Sequence, residues 1–224
     1  MVPKQCRGDG ECDGSGLKNT LERKAGPFIR SQLGDYLEKA GNTALVMTAT
    51  DRWGLASSFL ESGFACTFGD LAFSLDIPIE IHTKQQVKIM AALALPIATR
   101  LPFEWVYPIG EKQEERKPKY PRFFQKAAVI AGDCHYIKRY MPNDMQGKVI
   151  VTNTTTPEDV NLFRECGVKY LVTTTPVLEG RSFGTNMMEA AMVAISGKGR
   201  PLTSAEYNDI LNSLNFHPQL QQLN

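Results

Sequence analysis

The sequence has no apolar run long enough to cross a bilayer. Its longest, Ile89 to Ala98, contains Pro96, and a spanning helix needs about 20 residues. It also lacks an excess of charge of either sign. Lys+Arg 25 against Asp+Glu 24 leaves a formal net charge of +1, so no bulk field draws the chain to nucleic acid or anionic lipid. Neither is expected as a partner. Histidine is scarce, at three residues, and the five cysteines (Cys6, Cys12, Cys66, Cys134, Cys166) include no C-x-x-C pair. With no H-x-x-x-H and no Asp-rich loop, no metal site is expected. A G-x-S-x-G elbow and a Walker A loop are missing as well. The first ten residues have no apolar core, which reads against a secretory leader. Scattered cysteines, odd in number, suit a reducing cytoplasm.

What is present is an alternation of strands and helices over 224 residues, enough for one well-buried α/β domain. Leu17 to Lys24 reads as a short helix, and Phe28, Ile29, Leu33, Tyr36 and Leu37 lie at helical spacing before Gly41. Thr43 to Ala49 is an apolar strand, Gly54 to Ser62 a helix, and Phe64 to Phe68 a second strand ending on Gly69-Asp70. Thr83-Lys84-Gln85-Gln86 has the spacing of a capping box. It opens a mostly apolar helix that is expected to be buried and to close at Pro96. Leu101 to Arg122 is aromatic, proline-punctuated and charged, an excursion from the sheet.

Ala127 to Ala131, Gly147 to Thr152 and Val168 to Val172 return as strands. Thr156-Pro157-Glu158-Asp159 carries a cap, an N1 proline and first-turn acids. A long helix follows Gly184-Thr185-Asn186, and Thr203-Ser204-Ala205-Glu206 opens a last one before a Gln-rich tail. The expected fold is a Rossmann-like, doubly wound parallel sheet with helices on both faces. Its expected organisation is an irregular segment over 1–16, the Rossmann-like domain over 17–200, and a C-terminal helix and tail over 201–224.

The first strand–helix–strand unit has the layout of a dinucleotide site. In a G-x-G-x-x-G turn the glycines let backbone N–H groups reach a pyrophosphate, and an acid about 20 residues on binds the ribose. The register here places Ala49, Asp51 and Gly54 in the turn and Asp70 at the ribose. A carboxylate at Asp51 repels a diphosphate unless Arg52 swings in or Asp51 turns outward. Four further groups are candidates. Asp13-Gly14-Ser15-Gly16 is a glycine-containing loop that could present Asp13 to a substrate hydroxyl, or be a plain turn. His135, just past Asp133 at a strand end, could act as acid, base or carboxylate ligand, or be a surface histidine. Asn153 and Thr154 lie in one of two threonine clusters at strand ends, where β-propensity alone would also favour threonine. Arg181, Thr185 and Asn186 stand where a loop enters a helix, a place for an anion or for a structural Arg–Glu pair.

Asp13-Gly14-Ser15-Gly16-Leu17, the stretch from Leu101 to Arg116, Ala131-Gly132-Asp133 with His135-Tyr136, Thr152 to Thr156 and Glu179 to Asn186 together resemble bacterial proteins labelled quinate 5-dehydrogenases. The resemblance spans nearly all of residues 13 to 200, and those proteins carry an additional N-terminal region. More distantly, the order of parts is similar to the shikimate and quinate dehydrogenases. The resemblance implies hydride transfer from a ring hydroxyl to NAD, with Asp70 favouring NAD over NADP. It implies a substrate role for Asp13, which matches an aspartate that works with a lysine from the missing region. It also implies a missing N-terminal domain or a second copy of the chain. The alternatives are a non-catalytic module binding a small anion or nucleotide, and a transferase or hydrolase using Asp51 and His135.

Overall fold

The computed structural model describes residues 15–98, 116–175, 177–178, 181–182, 184–198 and 200–224. Helices α1 (Ser15–Arg23) and α2 (Ala25–Ala40) precede the first unit, β1 (Thr43–Val46), α3 (Trp53–Glu61) and β2 (Ala65–Phe68). A π-turn over Asp70–Ser74 and α4 (Lys84–Ala98) follow. Then come α5 (Pro121–Lys126), β3 (Val129–Ala131), α6 (Cys134–Tyr140), β4 (Val149–Thr152), α7 (Pro157–Glu165) and β5 (Tyr170–Thr173). The short strands β6 (Val177–Leu178) and β7 (Arg181–Ser182) pair with each other, and α8 (Thr185–Ser196), α9 (Ser204–Ser213) and β8 (Gln219–Gln222) end the chain.

The sheet order is β2-β1-β3-β4-β5-β8. All pairs are parallel except β5 with β8, where Val172 lies opposite Leu220. Side chains alternate between two cores, as strand geometry requires. Leu45, Met47, Ile130, Ile150 and Leu171 face α5, α6 and α7. Ala44, Val46, Val129, Val149 and Val172 face α2 and α3. The fold is therefore α/β and Rossmann-like, with helices on both faces. A third cluster joins α1, α8 and α9 through Leu17, Leu21, Met192, Tyr207 and Leu211.

The three capping signals are used as read. Thr83 Oγ1 accepts the Gln86 N–H while Gln86 Oε1 accepts the Thr83 N–H. Thr156 with Asp159 and Thr203 with Glu206 form reciprocal boxes as well. Two expectations fail. Helix α4 runs through Pro96 to Ala98, and over residues 84–92 only Val87 is buried while Lys88 and Ile89 stay exposed. The Gln-rich tail is also more than a tail, because β8 adds a strand to the edge of the sheet. Among the described residues no helix is long and apolar enough to cross a membrane.

Candidate functional site

In an open α/β sheet, ligands bind outside the carboxyl ends of the strands, where the strand order reverses. In this sheet the reversal lies between β1 and β3. Two loops meet there, residues 47–52 and 132–135, and they hold most of the chemistry expected at a cofactor or substrate.

The turn after β1 is closed by the chain's own carboxylate. Asp70 Oδ2 accepts the Ala49 N–H at 2.9 Å, and Asp70 Oδ1 accepts the Thr50 N–H at 2.9 Å and the Thr50 hydroxyl at 2.6 Å. Asp70 is buried, so both oxygens are aimed at the turn. Gly69 makes this possible: a Cβ there would stand 2.5 Å from the Phe73 ring and 2.9 Å from the Met47 carbonyl oxygen. The N–H groups that a fingerprint turn offers to a pyrophosphate are thus bonded within the chain. Gly54, read as the last fingerprint glycine, serves a helix contact. A Cβ at that position would lie 2.4 Å from Asn19 Oδ1 and 2.9 Å from the Asn19 carbonyl oxygen on α1.

Asp51 and Arg52 follow both routes the sequence left open. Asp51 turns outward, 62% exposed, and pairs with Lys18 Nζ at 3.1 Å. Arg52 swings inward and is only 4% exposed. Its Nη1 donates to Glu22 Oε1 at 2.6 Å and its Nη2 to Asp133 Oδ2 at 2.7 Å, while Nε is buried without a partner. Burial opposes the charge on Arg52, but Glu22 and Asp133 outweigh it and hold the guanidinium pKa above its usual value. Burial also raises Glu22, against the pull of Arg52 and Lys18. An ion pair this deep is held in place by geometry, since removing one member leaves the other charged and unpaired.

Asp133 links this array to the open rim. Its side chain is 24% exposed, and as N-cap of α6 its Oδ1 accepts the His135 N–H at 3.0 Å. His135 is exposed, and its ring meets no hydrogen-bond partner among the described residues. Among the described residues these two loops and α1 bring together four carboxylates (Glu22, Asp51, Asp70, Asp133) and two cations (Lys18, Arg52), an excess of two acidic side chains.

The structure thus brings together Ala49, Asp51, Arg52, Asp70 and His135, and adds Glu22, Lys18 and Thr50, which the sequence reading missed. Lys18 and Glu22 share a face of α1 at i, i+4 spacing. An acid beside the apolar Leu17 and Leu21 was the only local signal. The second expected group lies at the ends of β4 and β5. Asn153 and Thr154 are half-buried, Thr152 Oγ1 donates to Asn153 Oδ1 at 3.3 Å, and Thr175 Oγ1 donates to the Asn153 carbonyl. Thr185 is half-buried at the start of α8, whose N-cap Gly184 offers no side chain. Asp13, the stretch from Leu101 to Glu115, and the side chains of Arg181 and Asn186 lie outside the described residues. Among those described, no group of three or more His, Cys, Asp or Glu residues is placed to hold a metal.

The sheet order defines a Rossmann-like α/β protein, with a cluster of charged side chains at its switch point. Over residues 16–223 the chain matches the family described as Domain of unknown function (DUF8754), and it belongs to that family. No curated protein and no solved structure matches it.

Proposed function

We propose that the chain is a small-molecule-binding Rossmann-like module. Its ligand sits at the β1/β3 crevice, against Asp133 and His135, and donates hydroxyl or ammonium protons. The observation that carries this reading is the Asp70 carboxylate bonded to the Ala49 and Thr50 N–H groups. A diphosphate would have to displace it and then face a crevice with an excess of two acidic side chains. A hydroxylated ligand needs neither, because each Asp133 oxygen keeps a free lone pair. The free, buried thiols of Cys66, Cys134 and Cys166 fit the reducing cytoplasm we assign to it.

A dehydrogenase of the quinate/shikimate type is the second reading. It is favoured by the β1–α3–β2 order with an acid, Asp70, just past β2. In it, Asp70 leaves the turn to meet the ribose of NAD. The substrate region is supplied by an N-terminal domain or by another copy of the chain.

Calorimetric titration of the full chain with inositol, NAD and NADP separates the two. The module reading expects heat with inositol that is lost in Asp133→Asn, and none with either dinucleotide. Tight NAD binding together with quinate-dependent NAD reduction would overturn it in favour of the dehydrogenase.

A further inference from the structure

A well-formed cavity lies away from the switch point. It is a cleft of about 460 Å³ between α7 and the β5/β8 edge of the sheet, within the ~300–1,000 Å³ typical of small-molecule sites. Four strand spacings, roughly 19 Å, separate β8 from β1. The two places therefore share no wall. Their electrostatics are opposite too. Among the described residues no carboxylate lines this cleft, and its one charged side chain is Arg164.

Arg164 has donors to spare. A guanidinium carries five N–H donors, and one of them, on Nη1, reaches Asn161 Oδ1 at 2.9 Å. Among the described residues it forms no ion pair. The Asn161 amide beside it is exposed and brings two further donors. Across the cleft, the Thr173 side chain belongs to a buried residue yet has no hydrogen-bond partner among the described residues, so its hydroxyl is available. Gln219 and Gln221 add amides from β8, and Val160 with Leu171 forms an apolar floor. The N-terminus of α7 is already satisfied by the Thr156–Asp159 box, and the Asp159 carboxylate there disfavours a dianion.

We infer that this cleft is a second small-molecule site, selective for a hydroxylated monocarboxylate. The carboxylate lies on the Arg164 fork with Asn161, hydroxyls lie on Thr173 and the glutamines, and a carbon face lies on Val160 and Leu171. Guanidinium forks match carboxylates bidentately, while amides and hydroxyls accept sugar hydroxyls in either hydrogen-bond sense.

The test is a titration of the isotopically labelled full chain, followed by backbone amide shifts, with gluconate, glucose and inorganic phosphate as separate probes. Gluconate should move amides of α7, β5 and β8 and leave those of residues 132–135 in place. Arg164→Gln should weaken it about tenfold or more, the loss of one charged hydrogen-bonded partner. Thr173→Val should weaken it several-fold, and Asp133→Asn should have no effect. Arg164 is exposed, so its replacement leaves the core intact. The inference is overturned if gluconate moves none of these amides, if Arg164→Gln binds it as the parent does, or if phosphate binds as well as gluconate. Because the crevice is probed separately by inositol and Asp133→Asn, either site can fail without the other.

Discussion

Replacing Asp70 with alanine should cost the protein a large part of its stability, whatever it binds. The substitution removes the acceptor of two peptide N–H groups and one hydroxyl, at 2.9, 2.9 and 2.6 Å. Hydrogen bonds to a charged acceptor contribute about 1.5–3 kcal/mol each, and a buried donor left without a partner costs about 1–3 kcal/mol. The two N–H groups are not equivalent. Ala49 is fully buried, so its N–H has nothing to turn to, whereas Thr50 is exposed and water replaces the lost carboxylate. The sum is about 3–4 kcal/mol, taken mostly from the Ala49 bond, out of a total near 5–15 kcal/mol for a typical domain. For a chain of this length that lowers Tm by roughly 6–16 °C. Asp70→Asn should fall between parent and alanine, since it keeps one acceptor oxygen but sets an amide donor against the second N–H. Urea unfolding followed by circular dichroism gives the number, with an unchanged m-value showing that the denatured state is not the cause. A change below ~0.5 kcal/mol, the range of an inert surface substitution, would mean that Asp70 does not support the turn and is free for a ligand.

Two further outcomes follow from buried ionisable groups. Burial pushes the Asp159 carboxyl up, but Lys138 and the Thr156 N–H outweigh it and hold it below its usual 3.8. A depressed carboxyl contributes stability that is fully present above its unfolded pKa and lost as pH falls through the folded one. Asp159→Asn should therefore lose about 1–3 kcal/mol at neutral pH and show a shallower decline of stability on acidification below pH ~4; an unchanged acid limb in urea titrations would refute the assignment. Burial also pushes the Cys66 thiol up to about 12 and raises Cys134 well above its ordinary value. At pH ~8 neither has appreciable thiolate, the reactive form. Peptide mapping after iodoacetamide treatment should find both unmodified in the folded chain and modified in urea, and rapid labelling of either before unfolding would contradict their burial.

Much of the fold was legible because its signals are local. Short β-branched apolar runs such as Val149-Ile150-Val151, bounded by Gly147 and Asn153, read as strands buried on both faces. The boxes at Thr83, Thr156 and Thr203 satisfy orphan N–H groups within four residues of chain. The doubly wound reading needed nothing beyond the alternation of those elements. The site was legible in part: the turn after β1, Asp51, Arg52 and His135 were placed at strand ends by counting, and the structure puts them at the switch point.

What the sequence by itself determined, then, was strands β1 to β5 and helices α1 to α4, α7, α8 and α9; the short helices α5 and α6 and the strands β6, β7 and β8 carried no local signal that was read. Only the tertiary structure decided that the first turns of α4 lie exposed around Val87, that Gln219 to Gln222 joins the edge, that Glu22 from α1 reaches Arg52, and that Asp70 turns back onto the β1 turn. The reason is physical. Periodicity and capping act between residues a few positions apart, whereas the partner of a buried charge and the neighbour of an edge strand are chosen across 20 or more residues. There the deciding quantity is the cost of leaving a charge or a peptide group unpaired, and no local pattern records it.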